Sequence, residues 1–174
     1  MSERFVIVGG DAAGMSAASK AKRENPDLDV IVFEKGQWVS YGACGLPYYI
    51  KDEIKDLEDL VAVTPEEFIE KRDVDLRINH RVVDIDRENK TVTARGGDGE
   101  VIESYDTLLI STGASALTPP IDGMGLDHVY TLHDLGDGRA IKSYLEKEDP
   151  GRATLIGGGY IGLEMAEAFA GQGL

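Results

Sequence analysis

The chain has 174 residues, 42% of them hydrophobic, with 32 acidic against 18 basic side chains and a net charge of −14. It can bury a core, and no apolar run reaches the ~20 residues that span a bilayer, so wholesale disorder and a transmembrane helix are excluded. Acidic charge spread along the chain repels phosphate backbones and excludes general nucleic-acid binding. The one cysteine, Cys44, excludes an intrachain disulfide and a cysteine-rich metal site. Met1–Phe5 carries no basic leader before an apolar stretch, which sets the expectation of a soluble, cytoplasmic protein without membrane contact.

Arg4–Val8 is a short, continuous apolar run of the kind that forms a strand buried on both faces. A glycine turn, Gly9 to Gly14, follows it, and residues 12–22, rich in Ala and Ser, read as a helix. Asp29–Phe33 is a second buried strand. Strand, glycine turn, helix and strand within about thirty residues make a βαβ unit, hence parallel strands and an α/β fold. Residues 35–63 read as irregular and contain Cys44. Thr64, Pro65 and Glu67 open a helix, Thr64 as cap and Glu67 completing a capping box. From Asp75 to Ser104 the period changes to two, with turns at Glu88-Asn89 and at Gly96-Gly97-Asp98-Gly99, which predicts an antiparallel meander inserted into the frame. Thr107–Ile110 is a further buried strand, ending at Ser111-Thr112-Gly113. Pro119-Pro120 and Gly123 mark a loop, and residues 135–148 an amphipathic helix. The opening pattern then returns, with Ala153–Ile156 as a strand, Gly157 to Gly162 as a turn and a helix through Ala170.

The two glycine turns carry the strongest chemistry. A dinucleotide fingerprint places one glycine for the tight turn, one for approach of the pyrophosphate and one for helix–strand packing. Gly9 and Gly14 meet the outer requirements, while Asp11 stands at the middle position and its carboxylate must point away from any pyrophosphate. Glu34 ends the second strand at the spacing of a ribose-binding acid. The second turn, Gly157-x-Gly159-x-x-Gly162, is intact. Two such turns suggest two cofactors exchanging electrons, and a flavin with a nicotinamide is the natural pairing. Between Gly42 and Gly45, Cys44 has room for a bulky planar group beside its sulfur, and a helix starting there would favour the thiolate. His80, His128 and His133 show no metal-ligand spacing, and no metal is expected.

Residues 6–18, with Gly9, Asp11 and Gly14, and the segment Ser40-Tyr-Gly-Ala-Cys-Gly-Leu-Pro-Tyr-Tyr49 resemble the single-cysteine flavoprotein disulfide reductases. That family includes coenzyme A-disulfide reductases, NADH oxidases and peroxidases, and polysulfide reductases. The resemblance runs along the whole chain. It implies a Rossmann-like FAD-binding domain over 1–150, a parallel sheet with the inserted antiparallel meander. The truncated start of a second Rossmann-like NAD(P)H-binding domain follows over 151–174. Gly9, Gly10, Ala13, Gly14, Glu34 and Lys35 would hold the ADP half of FAD. Val82 would contact adenine through its backbone, and Thr112 and Gly113 would form a second flavin-contacting turn. Gly157, Gly159 and Gly162 would approach the NADH or NADPH pyrophosphate, with Glu164 near the nicotinamide. Cys44 would face the flavin and carry the redox chemistry, and Lys20, Arg23 and Ser40 would bind a coenzyme A-like disulfide or thiol.

The implied activity is NAD(P)H-dependent reduction of coenzyme A disulfide or a related disulfide or polysulfide, by a homodimer in the full-length parent. Three departures bear on this. Ala12 replaces the histidine of the oxidases and peroxidases, which turns the expectation toward disulfide reduction. Ala43 replaces an asparagine common in the coenzyme A enzymes, and His133 an arginine. NADH oxidase or peroxidase activity, and a non-catalytic flavin-binding remnant, are the alternatives.

Overall fold

The computed structural model describes residues 2–97 and 99–174, so Asp98 in the expected Gly96–Gly99 turn lies outside the described residues. The chain divides into two compact units. One runs to Tyr41 and resumes over Val61–Gly113; the other comprises Gly42–Leu60 and Ala114–Leu174.

In the first unit, β1 (Arg4–Val8), β2 (Asp29–Phe33), β3 (Asp75–Arg77) and β7 (Thr107–Ile110) form a sheet in the order β3-β2-β1-β7. All its pairings are parallel, with Val8 beside Phe33 on one flank and Ile110 on the other. Successive side chains point to opposite faces; β1 and β2, in the middle of the sheet, are covered on both and read as unbroken apolar runs, whereas β7, expected to be buried, is only partly covered, with Ile110 exposed. Ile7, Val30 and Val32 share a cluster with Met15 and Ala18 of helix α1 (Ala12–Glu24) and Phe68 of helix α3 (Pro65–Arg72). Val6, Ile31 and Phe33 pack instead with Val92 and Ala94. Those two residues belong to β5 (Thr91–Gly96), the middle strand of an antiparallel sheet with β4 (Arg81–Asp86) and β6 (Gly99–Ser104). Each fully buried Val, Ile, Met or Phe among them contributes roughly 1.5–3 kcal/mol of burial free energy. Glu103 of β6 receives Arg4 at 3.0 Å and Arg77 at 2.8 Å, tying the meander to the parallel sheet.

The meander is therefore shorter than its period suggests. Asp75–Arg77 alternates like an antiparallel strand, yet it is the edge of the parallel sheet, where one face remains partly open. At the start of α3 the Thr64 hydroxyl accepts from the Glu67 N–H at 3.3 Å. The other half of the expected capping box is diverted, because the Glu67 carboxylate pairs with Lys71 at 3.4 Å.

The second unit is mostly helical. Residues expected to be irregular include a 3-10 turn at Ala43–Gly45, helix α2 (Leu46–Ile50) and another 3-10 turn at Leu57–Leu60. Helix α4 spans Leu135–Glu148 and helix α5 Tyr160–Gly171. A Cβ on Gly138 of α4 would lie 2.4 Å from Cδ2 of Leu46, so the missing side chain is what lets α2 pack there. Lys142 of α4 is buried, reaches Asp52 at 2.8 Å and lies 4.2 Å from the centre of the Tyr49 ring. Ala153–Ile156, expected as a strand, is exposed and forms no ladder. An apolar segment becomes a strand only when a neighbour accepts and donates its backbone hydrogen bonds, and no described strand lies beside it.

Candidate functional site

The first glycine turn is built by close backbone approach. Gly9 has φ +110°, and a Cβ there would stand 2.2 Å from the carbonyl oxygen of Ser111. A Cβ on Gly14 would meet the Gly9 carbonyl oxygen at 1.8 Å, so the third glycine brings α1 onto the turn. Asp11 is the N-cap of α1 without a side-chain capping bond, and its side chain is exposed. The first turn of α1 contains no acidic residue, and Ala12 and Ala13 are small and exposed, which leaves unpaired N–H groups reachable by an anion.

Glu34 closes the other side of this turn. Its carboxylate accepts from the N–H of Gly10 and from that of Gly36, both at 2.7 Å. A carboxylate offers about four lone-pair sites, so two remain for hydroxyl donors. The strand end is also held by the chain after β3: His80 N–H donates to the Glu34 carbonyl and Asn79 N–H to that of Gly36, both at 2.8 Å. Val82 is half-buried against the meander core, Lys35 is exposed, and Thr112 and Gly113 are exposed, with Gly113 at φ +65°. Ser40, at φ 50°, donates its N–H to the Gly10 carbonyl at 3.3 Å and accepts from Ala62 at 2.8 Å. Gly9 to Gly14, Glu34, Ser40 and Ser111 are thus joined by hydrogen bonds and backbone contacts. The donor set fits the pyrophosphate and ribose of an adenine dinucleotide.

Sequence reasoning missed two features of this unit. One is Ser111, whose single hydroxyl proton lies between the carbonyls of Val8 and Gly9, each 3.1 Å from Oγ. The other is a basic groove lined by Ser19, Lys22, Arg23, Lys71 and Arg72 with Asp73. Arg23 was expected at such a place, but Lys20 is not among the lining residues and pairs along α1 with Glu24 at 2.5 Å. Arg72 lies over the Phe68 ring and donates to the Ser19 hydroxyl at 2.8 Å. Only folding brings residues 19–23 and 71–73 together; their charges alone look like two solvated helix ends.

In the second unit Cys44 is free and exposed, within the 3-10 turn Ala43–Gly45. The helix expected to start at Cys44 begins two residues later, because the chain first makes this tighter turn. The space expected beside Gly45 is occupied: a Cβ there would lie 2.2 Å from Cδ2 of Leu60, so this glycine serves packing. Gly42 remains open, its nearest neighbour being the Leu60 carbonyl oxygen at 3.9 Å. The second glycine turn repeats the first. Gly157 has φ +112°, and a Cβ on Gly162 would lie 2.1 Å from the Gly157 carbonyl oxygen. Nothing stands within 4 Å of a Cβ on Gly158 or Gly159, and Glu164 is exposed on α5. Among the described residues, no group of three or more His, Cys, Asp or Glu is placed to hold a metal.

A parallel sheet entering a glycine turn and a small-residue helix, with an acid ending the neighbouring strand, defines a dinucleotide-binding α/β protein. Residues 3–174 match the pyridine nucleotide-disulphide oxidoreductase family, and the chain belongs to it. It is 44% identical over 173 residues to a protein of Pyrococcus horikoshii named NAD(P)H coenzyme A polysulfide/persulfide reductase. That match takes in 99% of this chain and 38% of the relative, so the chain spans under half of its length. Among solved structures, reduced Bacillus anthracis CoADR-RHD superposes with a TM-score of 0.96 at 36% identity, over all of this chain and 32% of that one. The water-forming NADH oxidase from Lactobacillus brevis bound to NADH superposes with a TM-score of 0.91 at 32% identity, over 99% of this chain and 38% of that one.

Proposed function

We infer that the chain carries the flavin-binding part of an NAD(P)H-dependent reductase of coenzyme A disulfide or a related disulfide or polysulfide. FAD would be bound by residues 1–150, and residues 151–174 would begin the NAD(P)H-binding domain. The observation that carries this reading is an exposed, unpaired Cys44 in a protein with two glycine turns of matching geometry. A thiolate with no disulfide partner among residues 1–174 can exchange with a small-molecule disulfide, form a sulfenic acid or pair with another chain, and the first of these is the reading adopted.

Gly9, Gly10, Ala13 and Gly14 would receive the FAD pyrophosphate on the N–H groups at the start of α1. Glu34 would accept from the ribose hydroxyls, with Lys35 and the Val82 backbone toward the adenine. Thr112 and Gly113 would bound the flavin half. Gly157, Gly159, Gly162 and Glu164 would serve NAD(P)H in the same way. Cys44, as thiolate, attacks one sulfur of the disulfide; a Cys44–substrate disulfide forms and the other half leaves as a thiolate. Cys44 would return to its thiol and the second half leave as a thiol when two electrons and two protons reach this disulfide; FAD held by the residues above would supply those electrons from NAD(P)H. Arg23 and Ser40 would hold the substrate, with Lys20 free to leave Glu24. The basic groove of Arg23, Lys71 and Arg72 supports a phosphate-bearing thiol, since it is a local positive site on a chain of net charge −14. The reducing cytoplasm suits the free thiol, and a homodimer is proposed for the full-length parent.

The test is an absorption spectrum of the purified chain with and without FAD, followed in the holoenzyme by NADH or NADPH consumption with coenzyme A disulfide. Bound flavin and disulfide-dependent consumption support the reading. Rapid oxygen or peroxide consumption with a stable Cys44 sulfenic acid would replace it by the oxidase or peroxidase alternative. Flavin bound without either activity would indicate a non-catalytic remnant.

A further inference from the structure

Ser111 carries no role in the cofactor reading above, yet it joins the glycine turn to the strand beside it. Its N–H donates to the Val8 carbonyl at 2.8 Å, and its single hydroxyl proton is placed between the carbonyls of Val8 and Gly9, each 3.1 Å from Oγ, so that it can donate to Gly9 while the Val8 carbonyl keeps the N–H. The carbonyl of Gly9 and the N–H of Gly10 belong to one planar peptide and point in opposite directions. On the far side of that peptide, the Gly10 N–H donates to Glu34 Oε2 at 2.7 Å. A continuous chain therefore runs from the Ser111 hydroxyl through the Gly9–Gly10 peptide to the Glu34 carboxylate. Such chains polarise along their length, so the hydroxyl both orients the peptide and strengthens its grip on the carboxylate. The arrangement is tight from both ends. A Cβ on Gly9 would run into the Ser111 backbone at 2.2 Å, and one on Gly10 would run into Cβ of Glu34 at 2.8 Å.

We propose that Ser111 is a positioning residue for the ribose of the bound adenine dinucleotide, acting through the Gly9–Gly10 peptide to aim the Glu34 carboxylate. The proposal rests on the FAD reading above and adds to it the residue that sets ribose selectivity. Its signature is a preference, not mere affinity. Ligands with a ribose diol depend on where Glu34 points, whereas a ligand lacking both hydroxyls depends only on the pyrophosphate turn.

The experiment titrates the chain calorimetrically with FAD, with ADP and with 2′,3′-dideoxy-ADP, for the wild type, Ser111→Ala and Ser111→Thr. The expected result is a wild-type preference for ADP over the dideoxy ligand that falls about fivefold in Ser111→Ala, the net worth of one hydrogen bond. Ser111→Thr, which keeps the hydroxyl, restores it. An equal loss for both nucleotides, or an unchanged preference in Ser111→Ala, overturns the role of Ser111 and leaves the FAD reading standing. A wild-type chain that binds neither FAD nor ADP overturns both. Should Ser111→Ala fail to fold, Ser111→Cys keeps the side-chain volume, weakens the donor and carries the same comparison.

Discussion

At the scale of single residues, the proposed roles of Cys44 and Arg23 separate chemistry from recognition. Cys44→Ser removes the sulfur proposed to form the covalent intermediate but changes no packing, since the side chain is exposed. Disulfide-dependent NAD(P)H consumption should fall at least about 100-fold, as expected for loss of a nucleophile, with the flavin spectrum retained. Arg23 lines the basic groove between α1 and α3. Arg23→Ala should raise KM for coenzyme A disulfide about fivefold and leave kcat nearly unchanged, the pattern of lost ground-state binding. Steady-state kinetics at several substrate concentrations distinguish the two. The resemblance of the sequence to the family points to Cys44 and Arg23, but nothing in the sequence points to Lys71 and Arg72, because they approach Arg23 only through the packing of α3 beside α1.

At the scale of elements, two helical glycines that look alike in sequence differ in what an added methyl would strike. On Gly14 it meets the Gly9 carbonyl, a backbone atom with no room to yield. On Gly138 it meets the tip of Leu46, a flexible side chain. Gly14→Ala should cost about 1–3 kcal/mol by overpacking and abolish FAD binding. Gly138→Ala should cost less, because the Leu46 tip can move aside, which leaves about 1 kcal/mol of helix propensity to offset the remaining strain. Urea titrations of both variants give the comparison.

The connection after α2 adds a pH dependence. Asp52 sits at φ 76°, and hydrogen bonds first from Lys142 and then from Lys55 hold its carboxyl down at about 2, below the ordinary value of 3.8. A carboxylate whose pKa is lower in the folded state stabilises the fold above its unfolded pKa, and loses that contribution as the pH falls through the folded value. Asp52→Asn tolerates the left-handed backbone and removes only the charge. It should melt below the wild type at pH 7, and the gap should close between about pH 4 and pH 2.

At the scale of the whole molecule, the sequence-level α/β frame and the observed sheets agree because continuous apolar runs need two covered faces. α1 and α3 supply one and the meander the other. The exception, Ala153–Ile156, shows that a strand is a property of pairs of segments. Its apolar residues, and the apolar Tyr160, Ile161 and Leu163 of α5, are exposed together. No described helix is long and apolar enough to cross a membrane. A ligand that binds only the folded state raises its stability by mass action, by about 2.7 kcal/mol at 100 times Kd. FAD should therefore raise the melting temperature of the chain in a concentration-dependent way, and FMN, which lacks the adenosine diphosphate half, should raise it less. Differential scanning fluorimetry with the two flavins checks this.

The sequence by itself determined the parallel frame, both glycine turns, the acid at the end of β2 and the place of the one cysteine. These are local facts: strand runs, turn glycines and short spacings act over a few residues, and the chain carries them wherever it folds. Tertiary structure alone decided which features of those segments serve packing and which remain open. Leu60 fills the space beside Gly45, β3 joins the parallel sheet despite its alternating pattern, and α1 and α3 bring two sets of basic residues to one groove. Ser111 meets a turn 102 residues earlier in the chain. Contacts over such separations depend on how strands and helices are ordered in space, and no spacing along the chain records that order.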